Sequence, residues 1–121
     1  MSKRALVVDD SKTMRDMVTF TLKKEGFDVT EAEDGMGALD KSTSGAYDLV
    51  ISDVNMPRMD GITLTQKLRQ NGAFKATPIL ILTTEADANK KAAGKAAGAT
   101  GWIVKPFDPD QLLGVVRRVC R

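Results

Sequence analysis

Four short runs, residues 5–8, 49–51, 79–82 and 102–104, are apolar at every position, and longer amphipathic stretches separate them. A run with no polar side has no face to offer water, so as a strand it must be covered on both faces. Residues 27–32 differ: Phe27 and Val29 alternate with Asp28 and Thr30, the pattern of a half-covered edge strand. Between the runs the period becomes helical. Met14, Met17, Val18 and Leu22 share one helical face, and Leu112, Val115, Val116 and Val119 share another. Weaker helical patterns cover residues 35–44, 61–72 and 86–97, with Gly26, Gly72 and Gly98 placed where helix C-terminal caps are wanted. The result is β-α repeated five times. Parallel strands need crossovers, and right-handed crossovers put helices on both faces. The chain therefore reads as an α/β protein with a doubly wound, five-stranded parallel sheet and five helices. Periodicity leaves the strand order open.

The 121 residues suit one domain spanning 1–121, with a core that needs no disulfides. Cys120 is the only cysteine and there is no histidine, which excludes a zinc site and a Ser-His-Asp arrangement and fits a reducing cytoplasm. The apolar run at residues 5–8 is too short for a signal peptide or a membrane span. A net charge of +2 is too small to suggest nucleic-acid binding. The expectation is a cytoplasmic monomer that neither enters membranes nor binds nucleic acid.

The polar residues that interrupt the pattern fall at strand ends. Asp9 and Asp10 end the first strand, Asp53 the third, Thr83 the fourth and Lys105 the fifth. In a parallel sheet all carboxyl ends lie on one edge, where open α/β sheets bind ligands. Strands about 4.8 Å apart can bring these side chains to one crevice. Two carboxylates about 4 Å apart repel by roughly 4 kcal/mol at an effective dielectric of 20, so three of them against one ammonium call for a bound cation. The donors are hard oxygens, which makes Mg²⁺ the natural occupant, ahead of Ca²⁺ or Mn²⁺. A carboxylate beside Mg²⁺ can also act as a nucleophile and form an acyl phosphate. Phosphoryl transfer then needs positioning and charge neutralisation, for which Asp53, Mg²⁺, Lys105 and Thr83 supply the parts. No general base is required, because aspartate is ordinarily ionised at neutral pH.

Val8-Asp9-Asp10-Ser11, the segment Asp53-Val54-Asn55-Met56-Pro57-Arg58-Met59-Asp60-Gly61, Leu82-Thr83-Thr84 and Lys105-Pro106-Phe107 together resemble the signature set of response-regulator receiver domains. The resemblance covers the whole chain in order. It implies a flavodoxin-like sheet of order 2-1-3-4-5. It also implies that Asp53 is the phosphoacceptor for a sensor histidine kinase, in a signalling protein that catalyses only its own phosphorylation and dephosphorylation. Mg²⁺ would be held by Asp10 and Asp53 directly, by the Asn55 backbone carbonyl, and by Asp9 through water. Lys105 would pair with one phosphoryl oxygen and Thr83 would swing to another. Trp102 takes the place of the family's aromatic switch residue, usually Tyr or Phe, and a cis peptide is implied between Lys105 and Pro106. Asn55 and Glu85 resemble chemotaxis-type receivers, in which they would tune dephosphorylation. With no output domain in the sequence, action is expected by docking. A flagellar motor switch protein or a phosphatase would meet a face within residues 86–121, where Lys90, Lys91, Lys95, Arg117, Arg118 and Arg121 could be basic.

Blander readings stand beside these. Asp9 or Asp10 could cap the first helix, Asp53 could serve a turn before Pro57, and Thr84-Glu85-Ala86-Asp87 resembles a capping box. Lys105 could be an ordinary solvated lysine and Trp102 a core residue. The chain could also be the receiver of a longer regulator, or one that binds proteins without being phosphorylated. Other classes fit less well. A flavin carrier needs a Ser/Thr/Gly-rich phosphate loop where Asp9 and Asp10 stand. A haloacid-dehalogenase-type phosphatase resembles Asp-x-Asp, whereas these acids are adjacent, and no P-loop motif occurs. The helix at 86–97 has little apolar surface and an internal glycine, so it should be loosely held.

Overall fold

In the computed structural model, residues 3–56, 58–84 and 88–120 are described. The elements are β1 (Arg4–Val8), α1 (Lys12–Lys24), β2 (Asp28–Ala32), α2 (Gly35–Ser42), β3 (Leu49–Ser52), α3 (Gly61–Arg69), a 3₁₀ turn (Gly72–Phe74), β4 (Ile79–Thr83), α4 (Ala88–Ala97), β5 (Gly101–Val104) and α5 (Pro109–Val119). All neighbouring strands pair in parallel, in the order β2-β1-β3-β4-β5. This is the expected doubly wound sheet, and β2 lies on its edge.

Strand alternation divides the apolar side chains into two cores. Ala5 and Val7 of β1, Leu49 and Ile51 of β3, Leu80 and Leu82 of β4 and Ile103 of β5 pack with Val18 and Leu22 of α1 and Leu112 and Val116 of α5. Leu6, Val8, Val50 and Ile79 face the other way, against Ala38 of α2, Leu64 and Leu68 of α3, and Phe74. Side-chain oxygens start four of the helices: Ser11, Asp34, Asp60 and Asp108 accept from Met14, Gly37, Thr63 and Gln111 respectively. Gly26 and Gly98 take the left-handed φ values of 94° and 108° expected of C-caps. Gly72 does not act as one. The third helix stops at Arg69, and Asn71 accepts from Ala73 to begin the 3₁₀ turn instead.

One cation fastens the α3–β4–β5 corner. Arg69 donates from Nε to the Gly98 carbonyl at 3.0 Å and from Nη1 to the Thr77 carbonyl at 2.6 Å, with the Phe74 carbonyl as a further acceptor. Among the described residues, no helix is long and apolar enough to cross a membrane.

Candidate functional site

The alternation that builds the cores also aims the polar side chains just past the strand ends. Asp9, Asp53 and Lys105 continue the phase of Val7, Ile51 and Ile103, so they emerge on the same face of the sheet. The ladder persists to this point, since Asp53 N donates to the Val8 carbonyl and Asp9 N to that of Ala32. One carboxylate oxygen each from Asp9, Asp10 and Asp53 lies within 4.8 Å of the others. Lys105 Nζ sits 3.0 Å from Asp9 Oδ2 and 3.4 Å from Asp53 Oδ2, and the three side chains are only 10, 6 and 12% exposed. Asp10 is exposed at the rim.

Each acid is also oriented by neighbours. Asp9 Oδ1 accepts from Ser11 N at 2.9 Å, while the buried Arg15 donates to the Asp9 carbonyl at 2.8 Å. Asp53 Oδ1 accepts from Val54 N at 2.7 Å, which leaves Oδ2 turned toward Lys105. Helix α3 presses on the same spot: a Cβ at Gly61 would lie 2.0 Å from the Asp53 carbonyl oxygen, so only glycine lets the chain fold back there.

The donor set suits a hard dication. Three carboxylate oxygens within 4.8 Å of one another can share one ion whose opposite oxygen ligands lie about 4.2 Å apart, with Asp9 buried, Asp53 partly buried and Asp10 open at the rim. The other expected site residues are placed as follows. Thr83 ends β4, fully buried and in the same strand phase as Ile79 and Ile81, and its carbonyl accepts from Lys105 N at 2.7 Å. Asn55 is exposed on the loop two residues past Asp53. The Lys105–Pro106 peptide is cis. Trp102 is half-buried on β5, beside a groove of about 230 Å³, and is neither a core residue nor fully exposed. A Cβ at Gly94 of α4 would come within 2.8 Å of its ring, so the internal glycine is the seat of this indole. Glu85 and Arg121 lie outside the described residues, as do Ala86 and Asp87 of the capping-box reading. Arg117 of the expected basic face is already paired with Glu25 at 2.7 Å.

Sequence reasoning missed three contributors. Arg15 is held by Glu31 at 3.4 Å and grips the backbone of Asp9. Arg58 has φ 68°, which costs a residue with a Cβ about 1–2 kcal/mol, and its guanidinium forks onto Asp34. Gly61 has the close approach described above. The only signal for Arg58 was its place in the Asp53–Gly61 stretch; its partner is 24 positions away.

Known proteins resemble this chain in sequence and in fold. The chain is 37% identical over 114 residues to protein PilG of Pseudomonas aeruginosa, covering 94% of this chain and 84% of PilG. It spans about half, 52%, of the response regulator ArlR of Staphylococcus aureus, at 37% identity. The structure of the chemotaxis response regulator CheY4 of Vibrio cholerae superposes with a TM-score of 0.93, at 48% identity over 98% of this chain and 99% of that one. The receiver domain of the sensor histidine kinase PA1611 from Pseudomonas aeruginosa, solved with a magnesium ion in its active-site cleft, superposes with a TM-score of 0.90. It is 25% identical over 99% of this chain and 98% of that one. With residues 5–117 matching the response regulator receiver domain, the chain belongs to that family of two-component signalling proteins.

Proposed function

We propose that the chain, acting as a single receiver domain over residues 1–121, takes a phosphoryl group onto Asp53 from a phosphohistidine of a sensor kinase. The observation that carries this reading is the meeting of Asp9, Asp10, Asp53 and Lys105 in one crevice. A carboxylate oxygen of Asp53 forms the new bond to phosphorus while the phosphorus–nitrogen bond breaks, and the released imidazole takes up a proton from solvent. Asp9, Asp10, Asp53 and the Asn55 carbonyl would hold Mg²⁺, which supplies charge neutralisation on the transferring group. Lys105 moves its hydrogen bonds from the two carboxylates to a phosphoryl oxygen, and the Thr83 hydroxyl donates to another. Asn55 and Glu85 tune hydrolysis of the acyl phosphate.

Phosphorylation adds about −1.5 to −2 charge at the crevice. Thr83 is drawn to it from the strand next to β5, and Trp102 follows into the space beside α4. The face built from α4, Trp102 and α5 then changes for a docking partner. The 48% identity to a chemotaxis response regulator favours a chemotaxis role in the cytoplasm, acting as a monomer on a flagellar motor switch protein or a phosphatase. The half-length span of ArlR favours a second reading, the receiver of a longer regulator.

Incubation with acetyl phosphate and Mg²⁺ followed by intact-mass measurement tests the chemistry. One added phosphoryl group is expected, absent in Asp53→Asn and in EDTA. Phosphorylation that survives Asp53→Asn, or no phosphorylation of the wild type by acetyl phosphate or by any kinase, would overturn it.

A further inference from the structure

The loop from Asp53 to α3 is fastened at two places. At its far end Gly61 N donates to the Val54 carbonyl at 2.9 Å. At its crest Arg58, in the left-handed conformation, reaches across to the start of α2. Nε donates to Asp34 Oδ2 and Nη2 to Oδ1, both at 2.9 Å. Asp34 is simultaneously the α2 cap, accepting from Gly37 N at 2.8 Å. That backbone bond first, and the guanidinium second, hold its carboxyl below the usual aspartate range. The two backbones are in close contact here, since a Cβ at Gly35 would meet Met59 Cβ at 2.7 Å. Asn55 lies between the two fastenings.

Arg58 buries no core surface, as its side chain is 64% exposed, and α2 keeps its cap through Asp34 without it. An exposed arginine that accepts an unfavourable φ to reach a carboxylate is acting on its own loop. We propose that Arg58 is a positioning residue. Its fork with Asp34 sets the loop so that the Asn55 carbonyl and the Asp53 carboxylate are presented together to Mg²⁺. The proposal rests on the cation reading of Asp9, Asp10 and Asp53. A purely electrostatic role has the opposite sign, because a guanidinium near the site repels a dication and its removal would tighten binding.

Calorimetric titration of Mg²⁺ into metal-free protein, with thermal unfolding in EDTA as a parallel measurement, separates these outcomes. Arg58→Gly removes the fork and suits φ 68°, so the fold is retained. Asp34→Asn keeps a capping oxygen and loses the charge. Each variant should weaken Mg²⁺ binding about 10-fold, as loss of a supporting partner does at metal sites, with unfolding in EDTA little changed. The double variant should bind no more weakly than either single one. Arg58→Lys, a cation without a fork, should fall between. Binding by Arg58→Gly and Asp34→Asn as tight as wild type, or tighter, overturns the proposal. A wild type that binds no Mg²⁺ overturns the cation reading itself and this inference with it.

Discussion

Helices α4 and α5 have nearly the same length and flank the same strand, yet they are attached by different means. Helix α5 has Pro109 in its first turn, Asp108 as its cap and an apolar stripe that buries Leu112 and Val116, with Val115 and Val119 against the same core. Burying a Leu or Val side chain contributes about 1.5–3 kcal/mol, so this helix is anchored. Helix α4 buries only Gly94 and Ala97, and among the described residues it adds no side chain to either core. It also packs beside α3, and its contacts include an indole resting on a glycine and the Arg69 hydrogen bond at Gly98 just past its end. Apolar burial thus anchors one neighbour of the crevice far more than the other. The proposed change from Thr83 and Trp102 would have the less apolar α4 to move and α5 to move against.

The comparison can be broken at several strengths. Leu112→Ala should lower the unfolding free energy in urea by about 2–5 kcal/mol, and a smaller loss than that from removing any α4 side chain would reverse the ranking of the two helices. Next is Gly94→Ala. Its Cβ must displace the ring of Trp102, at an overpacking cost of about 1–3 kcal/mol against a helix-propensity gain of about 1. Stability should therefore fall by about 0–2 kcal/mol, while emission from this single tryptophan shifts red. Unchanged emission would show that Gly94 is not the seat. The smallest effect belongs to the pair tying α1 to α5. The Arg117 hydrogen bond holds the Glu25 carboxyl below the usual glutamate range, with burial opposing it and the charge of Arg117 adding to it. A depressed acid contributes above its unfolded pKa and loses that contribution as pH falls through the folded one. Wild type and Glu25→Gln should differ slightly at neutral pH and low salt and converge in acid; a gap that widens on acidification would contradict the assignment.

How much of this was legible follows from the range of each interaction. Uninterrupted apolar runs marked β1, β3, β4 and β5, because a strand buried on both faces leaves a local record. The convergence of Asp9, Asp53 and Lys105 followed from strand ends sharing one edge. Strand order left no local trace and came through the family resemblance. Gly72 was misread because a glycine after a helical stretch does not reveal that the helix has already stopped at Arg69. Gly94 looked like a defect in a weak helix, since its reason is the ring of Trp102 on another element. The Arg58–Asp34 fork was invisible for the same reason: each residue has an ordinary local role, and only the tertiary structure brings them together.

Arg69 carries one more consequence. Its acceptors are the peptide oxygens of Gly98, Phe74 and Thr77 and the Thr100 hydroxyl, which take up no proton at any pH a folded chain survives, and arginine itself keeps its proton there even though burial lowers its pKa. Acidification that discharges the aspartate and glutamate links elsewhere leaves this clip closed. The Asp34 and Glu25 carboxyls are held below their usual ranges, so those links persist in mild acid and open only on stronger acidification, while the turn leading into β5 stays shut throughout.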